Sequence, residues 1–380
     1  MNIELTEEQI AVRDAARDFA QNVLKEGVIE RDETQTFPAE QIKQMGELGF
    51  MGMMVSPEYG GGGMDTISYV LAMEEISKVD ASASVCMSVN NSLFCWGLDK
   101  FGTEEQKQKY LISTAKGETI GAFCLSEPEA GSDATSQRTT GFDKGDHYLL
   151  NGTKNWITNG STASYYIVIA QTDIEKGHKG INAFIVERGM EGFVVGAKEN
   201  KLGIRGSDTH TLMFTDVKVP KENRIGEDGF GFKFAMKVLS GGRIGIAAQA
   251  LGIASGAMEL AIAYSKDREA FGKPIHQHQA IAFKLADMAT EIEAARLLCF
   301  KAASLKDAGQ NFDKLSAMAK VYASKVAMEV TVEAVQVHGG YGFVKEYHVE
   351  RLMRDAKITQ IYEGTTEVQK IVISRAILSE

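Results

Sequence analysis

The chain has 380 residues, 44% of them hydrophobic and 24% charged, and a formal net charge of −10. Such a length exceeds what one core usually fills and predicts two or three packed modules, and the composition is that of a globular protein, not a disordered or fibrous one. Acidic and basic residues are mixed along the chain, so no basic stripe exists for a nucleic-acid backbone to follow.

The N-terminus, Met1 to Glu8, is acidic and polar and reads neither as a signal peptide nor as an Arg-rich transit peptide. No apolar run approaches the roughly 18 residues of a membrane span. Cys86, Cys95, Cys124 and Cys299 lie far apart in apolar stretches, which predicts buried free thiols and a reducing, cytoplasmic location. Up to about residue 119 the pattern is helical. Thr6 is placed to cap a first helix with Glu7, Glu8 and Gln9 in its first turn, and Ile10, Val12, Ala15, Phe19 and Val23 recur at helical spacing. Pro57-Glu58-Tyr59-Gly60-Gly61-Gly62-Gly63 interrupts as a loop, with a flexible surface turn the simplest reading.

Between about 120 and 230 the period changes. Asn151-Gly152, flanked by His147 to Leu150 and Thr153 to Thr158, is a hairpin signal with two positive-φ positions. Tyr165 to Ala170, Asn182 to Val186 and Thr211 to Val219 are β-branched or aromatic and predict strands. From 231 to 380 helix returns. Leu285, Met288, Ile292, Ala295, Cys299 and Ala302 form a bundle seam, Asp307 to Asn311 breaks that helix, and Lys314 to Val337 supplies another. Helices, then strands, then helices predict an α+β fold, not an alternating sheet.

Three chemistries are disfavoured by pattern. Gly226 to Gly231 and Gly339 to Gly342 are glycine-rich, yet neither sits in the first strand-turn-helix unit that a Rossmann site needs. A tight helix end explains Gly339-Gly340, although Gln336 and His338 beside it keep ligand binding open. No Glu or Asp precedes a His by three residues in a helical stretch, and His276-Gln277-His278 lacks partner ligands, so no metal site is expected. No Gly-x-Ser-x-Gly elbow points to a hydrolase. What remains is Glu363, flanked by Tyr362 and Gly364 in an apolar neighbourhood, where desolvation would lift its pKa toward that of a useful base. A glutamate before a glycine is more often a solvated helix terminus, and the residues alone stop at an α+β enzyme of unknown chemistry.

Two longer motifs carry a resemblance. Cys124-Leu125-Ser126-Glu127-Pro128-Glu129-Ala130-Gly131-Ser132-Asp133, and Gln336-Val337-His338-Gly339-Gly340-Tyr341-Gly342-Phe343 followed by Glu346, Arg351 and Asp355, are similar at every fixed position to the two signatures of the acyl-CoA dehydrogenase family. The resemblance extends over essentially the whole chain. It implies an N-terminal helical domain (1–119), a middle β-barrel-like domain (120–230) and a C-terminal four-helix bundle (231–380). It also implies FAD, held by Phe123, Cys124, Leu125, Ser126, Gly131, Ser132, Trp156, Ile157 and Thr158 around the flavin ring. Arg268, Phe271, Gln279, Gln336, Val337, His338, Gly339, Gly340, Thr365, Thr366 and Glu367 match further flavin contacts. Arg268 matches an arginine that reaches a neighbouring subunit's diphosphate, for which its forked donors suit, so a homotetramer, a dimer of dimers, is implied.

In that family Glu363 occupies the position of the base that takes the α-proton of an acyl thioester while flavin N5 accepts the β-hydride, giving a trans-2-enoyl thioester. Ser132, Ser240, Gly241, Gly242, Arg243, Tyr362 and Gly364 match CoA or acyl contacts. Long-chain and isovaleryl members carry the base near the position of Gly242, so a glycine there favours the short- and medium-chain branch, and the lack of Arg in Val85 to Trp96 argues against glutaryl thioesters. Short-chain relatives usually carry Asp where this chain has Ser240. The implied function is dehydrogenation of a short-chain acyl-CoA such as butyryl-CoA, with an electron-transferring flavoprotein as partner. The rivals are an acyl-CoA oxidase on the same scaffold and a non-catalytic acyl-CoA-binding protein.

Overall fold

Residues 4–379 are described by a computed structural model. Helix α1 (Glu7–Phe19) opens with the expected cap: Thr6 Oγ1 accepts from Gln9 N–H at 3.2 Å and Gln9 Oε1 accepts from Thr6 N–H at 3.0 Å. Its buried side differs from the expected stripe. Gln9, Ala16 and Phe19 face inward, and Ile10 is exposed. The phase is set from outside the helix, because Gln9 Nε2 donates to Asp65 Oδ2 at 2.7 Å, docking α1 on the second long helix, α2 (Thr66–Val79). Helix α2 is buried along nearly its whole length, and its buried Glu74 and Glu75 are paired with Arg296 and with Arg17 and Lys78.

Pro57 to Gly63 is a loop, but a pinned one. Gly62 N–H, Gly63 N–H and Met64 N–H donate to Gly52 O, Val55 O and Met53 O at 2.8–3.0 Å. A Cβ on Gly61 would sit 2.3 Å from Val55 O. Close backbone approach, not flexibility, accounts for that glycine. Further on, helix Ala81–Ser88 runs through a π-helical stretch, Val89–Cys95, into Trp96–Phe101. Such wide turns often mark functional positions. Here the buried Asn90 and Asn91 hold the chain by donating to Met51 O, Thr114 O and Phe50 O at 2.7–3.1 Å, and Leu93 is left facing the last helical module.

The middle module is a curled seven-stranded sheet in the order β1-β4-β2-β3-β7-β6, with β5 on β4. The strands are β1 (Gly121–Cys124), β2 (Thr140–Asp143), β3 (His147–Thr158), β4 (Tyr165–Gln171), β5 (Ile181–Glu187), β6 (Phe193–Lys198) and β7 (Thr209–Pro220). The expected hairpin at Asn151-Gly152 is not formed. Both residues lie inside β3, where the register against β7 shifts between Leu150 and Gly152. Gly152 has φ 146° and no room for a side chain, since a Cβ would meet Thr139 Oγ1 at 2.5 Å. This is a β-bulge whose extra residue is on β7, where Thr215 and Asp216 (φ 49°) stand against Asn151 alone; only cross-strand partners decide between a hairpin turn and a continuing strand.

The C-terminal module is a bundle of α3 (Gly231–Asp267), α4 (Gln279–Asp307), α5 (Asp313–His338) and α6 (Thr366–Leu378). Met288, Ile292, Ala295, Cys299 and Ala302 are buried on α4, as the seam predicted, and Gly309 at φ 66° ends that helix. Against the expectation of no membrane-length apolar run, α3 is apolar and long enough to cross a membrane, but 72% of that window is buried inside the fold. It is the central core helix, covered by α2 on one side and by α4 and α5 on the other. The four cysteines are free and buried.

Candidate functional site

The segment before α6 makes a turn in which Glu363 and Gly364 both adopt positive φ, 50° and 92°. For a glutamate this conformation costs on the order of 1 kcal/mol and persists only where surroundings enforce it. Two side chains do so. Lys320, fully buried on α5, donates to Gly364 O at 2.7 Å. Gln369, fully buried on α6, donates to Glu363 O and Gly364 O, both at 3.0 Å. A Cβ on Gly364 would lie 2.4 Å from that Gln369 nitrogen. Thr365 then caps α6 by accepting from Val368 N–H, and Tyr362 donates to Gln249 Oε1 on α3.

Glu363 is half-buried as a residue, but its Oε2 is enclosed and has no hydrogen-bond partner. The oxygen rests on α3 over Gly242, where an added Cβ would fall 2.1 Å from Oε2 and 2.8 Å from Leu93 Cδ2. Position 242 is glycine because the carboxyl uses the space of a side chain. Burial pushes the Glu363 carboxyl up to about 7, against the opposing charges of Lys320 and Arg243. The same burial pushes the Lys320 ammonium down to about 8. Among the described residues the Glu363 N–H has no acceptor. Ser240 spends its hydroxyl on Met236 O at 3.1 Å within α3, while Arg243 reaches Ser240 Oγ at 3.5 Å and leaves its Nε unpartnered. Gly242, Arg243, Tyr362, Glu363 and Gly364 thus come together between α3, α5 and the turn before α6, with Ser240 beside Arg243, whereas Gly241 faces Lys306 on α4.

A second group lies on the β module. Trp156 sits at another register shift of β3, has φ 62° and is 62% exposed, so the bulge displays the indole instead of burying it. Phe123, Leu125, Ser126 and Thr158 lie close by, because β1 packs on β3 and Asn155 N–H meets Ser126 O, and Gly131 and Ser132 are exposed. Cys124 and Ile157 belong to the sheet's own core, which leaves only their main chains for a ligand. The Leu125–Glu127 segment is tied down from behind: Lys154 Nζ donates to Leu125 O at 2.9 Å, Glu127 Oε1 at 2.7 Å and Gln137 Oε1 at 3.1 Å, and Asn155 N–H donates to Ser126 O at 2.9 Å.

A third group is built by the bundle alone. Arg268, Val337, His338, Gly339 and Gly340 line a cavity of about 490 Å³ with Tyr264 and Tyr341. His338 is fixed by Ala334 O at 2.8 Å and stacks on Tyr264 with centroids 4.3 Å apart. Arg268 stands 5.7 Å over the Tyr341 ring with no carboxylate paired to it among the described residues. Gly339 and Gly340 have nothing within 4 Å of an added Cβ, so their backbone is open to a close ligand. Phe271, at φ 54° and 96% exposed, tips the ribbon Glu269–Pro274, and Gln279 and Gln336 are exposed nearby. Thr366 and Glu367 form the first turn of α6.

Lys320, Gln369 and the Lys154–Glu127 pair escaped the sequence reading as site residues. A signal existed for Lys320, which falls on the same helical stripe as Ala317, Ser324 and Ala327, all buried; a lysine on a core stripe needs a buried partner. Lys154 gave none, because its neighbours in β3 do not reveal which face is closed.

Residues 6–118, 122–217 and 229–378 match the N-terminal, middle and C-terminal domains of acyl-CoA dehydrogenases. The chain is 54% identical to a short-chain specific acyl-CoA dehydrogenase of Clostridium acetobutylicum, covering 99% of this chain and 100% of that protein. The solved butyryl-CoA dehydrogenase of Megasphaera elsdenii superposes with a TM-score of 0.98 at 50% identity, covering 100% of both chains. A chain in a structure of the electron-transferring flavoprotein of Acidaminococcus fermentans superposes with a TM-score of 0.99 at 53% identity, again over 100% of both. With all three domains matched in order around the glutamate pocket, the chain belongs to the acyl-CoA dehydrogenase family.

Proposed function

We propose that the protein dehydrogenates short-chain acyl-CoA thioesters at the α,β-carbons, with Glu363 as the base and FAD as cofactor. The observation that carries this reading is the enclosed, unpartnered Oε2 of Glu363, whose carboxyl is lifted to about 7. An oxygen without donors is free to take a proton, and a base titrating near neutrality is matched to work there. As the α-proton moves to Oε2, negative charge grows on the thioester carbonyl, and the unpaired Glu363 N–H supplies a donor for it. Gly242 on α3 gives the carboxyl its seat, and Leu93 from the π-helical stretch presents an apolar wall beside it.

Bound FAD supplies the two-electron acceptor for the β-hydrogen. The residues present fit it: the displayed Trp156 indole suits a flat heteroaromatic, and the open Gly339-Gly340 backbone with the unpaired Arg268 guanidinium suits a diphosphate. Because Arg268 and Phe271 project on an exposed ribbon, they serve a neighbouring subunit's flavin in a homotetramer. Exposed Phe271, Phe283, Phe343 and Leu378 on this module give such an assembly apolar surface to cover. The electron acceptor is an electron-transferring flavoprotein, supported by the likeness to the Acidaminococcus chain, and four buried thiols fit a cytoplasmic location.

The test is Glu363→Gln in the purified, FAD-loaded protein. It is expected to keep FAD and bind butyryl-CoA while flavin bleaching slows by about 10³-fold or more. Bleaching at the wild-type rate would place the base elsewhere.

A further inference from the structure

We propose that Lys320 is a positioning residue for Glu363, holding the Glu363–Gly364 turn through the Gly364 carbonyl while setting a positive charge beside the carboxyl. The inference rests on the reading of Glu363 as the base and assigns a role to a residue outside the pocket's expected set.

An ammonium inside a protein is costly, by several kcal/mol, unless its surroundings use it. Lys320 is fully buried, and among the described residues no carboxylate oxygen lies within ion-pair distance of it; its one hydrogen bond goes to Gly364 O at 2.7 Å. A methionine would fill the same volume without that cost. What a methionine cannot supply is the bond to the turn and the charge near it. The turn needs the bond, since Glu363 holds a left-handed conformation that α6 alone does not impose. Gln369 shares the task with two bonds to the same pair of carbonyls, but it is neutral. Restraint of the turn fixes both the carboxyl and the N–H of Glu363, the two groups that must face one substrate together.

The charge has a separate effect. Glu363 is faced by Lys320 from α5, Arg243 from α3 and Tyr69 from α2, and Lys320 in turn faces Glu367 from α6 and Arg243, which also faces Asp313. Of the two cations near the carboxyl, Lys320 opposes the burial of Glu363 more strongly. Burial moves the two groups toward each other, Glu363 up and Lys320 down, and each charge opposes the other's shift.

Three variants separate the two effects. Lys320→Met removes bond and charge, Lys320→Gln removes the charge but keeps a donor, and Gln369→Leu removes two bonds and keeps the charge. Each is read twice: by the pH dependence of flavin bleaching with butyryl-CoA in the holoenzyme, and by infrared titration of the Glu363 carboxyl as a difference against Glu363→Gln. Both Lys320 variants are expected to raise the midpoint by about one pH unit, and Gln369→Leu to slow bleaching at every pH with the midpoint unmoved. Should Lys320→Met not fold, Lys320→Gln carries the charge test. An unmoved midpoint in a folded Lys320 variant, or an equal shift in Gln369→Leu, overturns the proposal. Wild-type bleaching by Glu363→Gln would instead refute the base assignment, and the infrared titration would still decide the role of Lys320.

Discussion

The β module and the helical bundle each bury a lysine close to a glutamate, and the two pairs end in opposite states. Lys154 Nζ lies 2.7 Å from Glu127 Oε1, and Glu127 also accepts from the N–H groups of Arg138 at 2.6 Å and Thr139 at 3.1 Å. Although burial pushes it up, the Lys154 charge and these donors hold Glu127 below the ordinary carboxylate range. Lys320 instead gives its bond to a backbone carbonyl, and Glu363 keeps an oxygen with no donor and titrates near 7. Burial is common to both. What separates a structural carboxylate from a reactive one is whether its lone pairs are already spent.

The largest expected effect that bears on this contrast is in the β module. Lys154→Met leaves Glu127 charged, buried and short of its cation, and is expected to cost about 3–5 kcal/mol of stability. Adding Glu127→Gln should restore part of the loss, since no charge remains and the amide oxygen still accepts from one of the two N–H groups, which bond to different carboxylate oxygens. Urea unfolding of the three proteins checks this, and a single variant as stable as wild type would mean the pair holds nothing.

A smaller effect with the opposite sign belongs to Glu363. Its folded pKa, about 7, exceeds the ordinary 4.5, so the native state holds a proton that the unfolded chain has lost between those values, and stability falls as pH rises through that window. Glu363→Gln should therefore exceed wild type by on the order of 2–3 kcal/mol above pH 7, with the advantage fading below pH 4.5. For Glu127, with its pKa depressed, stability is instead lost as pH falls. Unfolding free energies of wild type and Glu363→Gln measured from pH 5 to 8 would break the comparison if their difference stayed flat.

The smallest change in stability is expected at Trp156, two residues from Lys154 on the same strand. Its indole is displayed, so Trp156→Ala should alter stability by no more than ~0.5 kcal/mol, while FAD affinity falls about three- to tenfold. Fluorescence titration with FAD alongside thermal unfolding reads both. A large loss of stability would make the indole part of the scaffold that Lys154 supports.

Much of this architecture is local and could be read from residue order. The Thr6 cap, the α4 seam from Met288 to Ala302, the helix break at Gly309 and the succession of helices, strands and helices all follow from spacing along a single element. The two signature motifs likewise point to the family from residue order alone. Other features depended on a second segment. Asn151-Gly152 stayed within a strand because β7 continues alongside it and carries the bulge, and α1 turned Ile10 outward because Gln9 meets Asp65.

Glu363 shows the division most sharply. The sequence by itself determined that a glutamate stands between Tyr362 and Gly364 and that position 242 is glycine. Only the tertiary structure decided that these two positions meet, that Lys320 and Gln369 strap the turn, and that Oε2 is left without a donor. The reason is physical: helical and strand periodicity is a short-range property of the backbone, whereas the proton affinity of a carboxyl is the sum of burial, charge and hydrogen bonds supplied by groups far away in the chain.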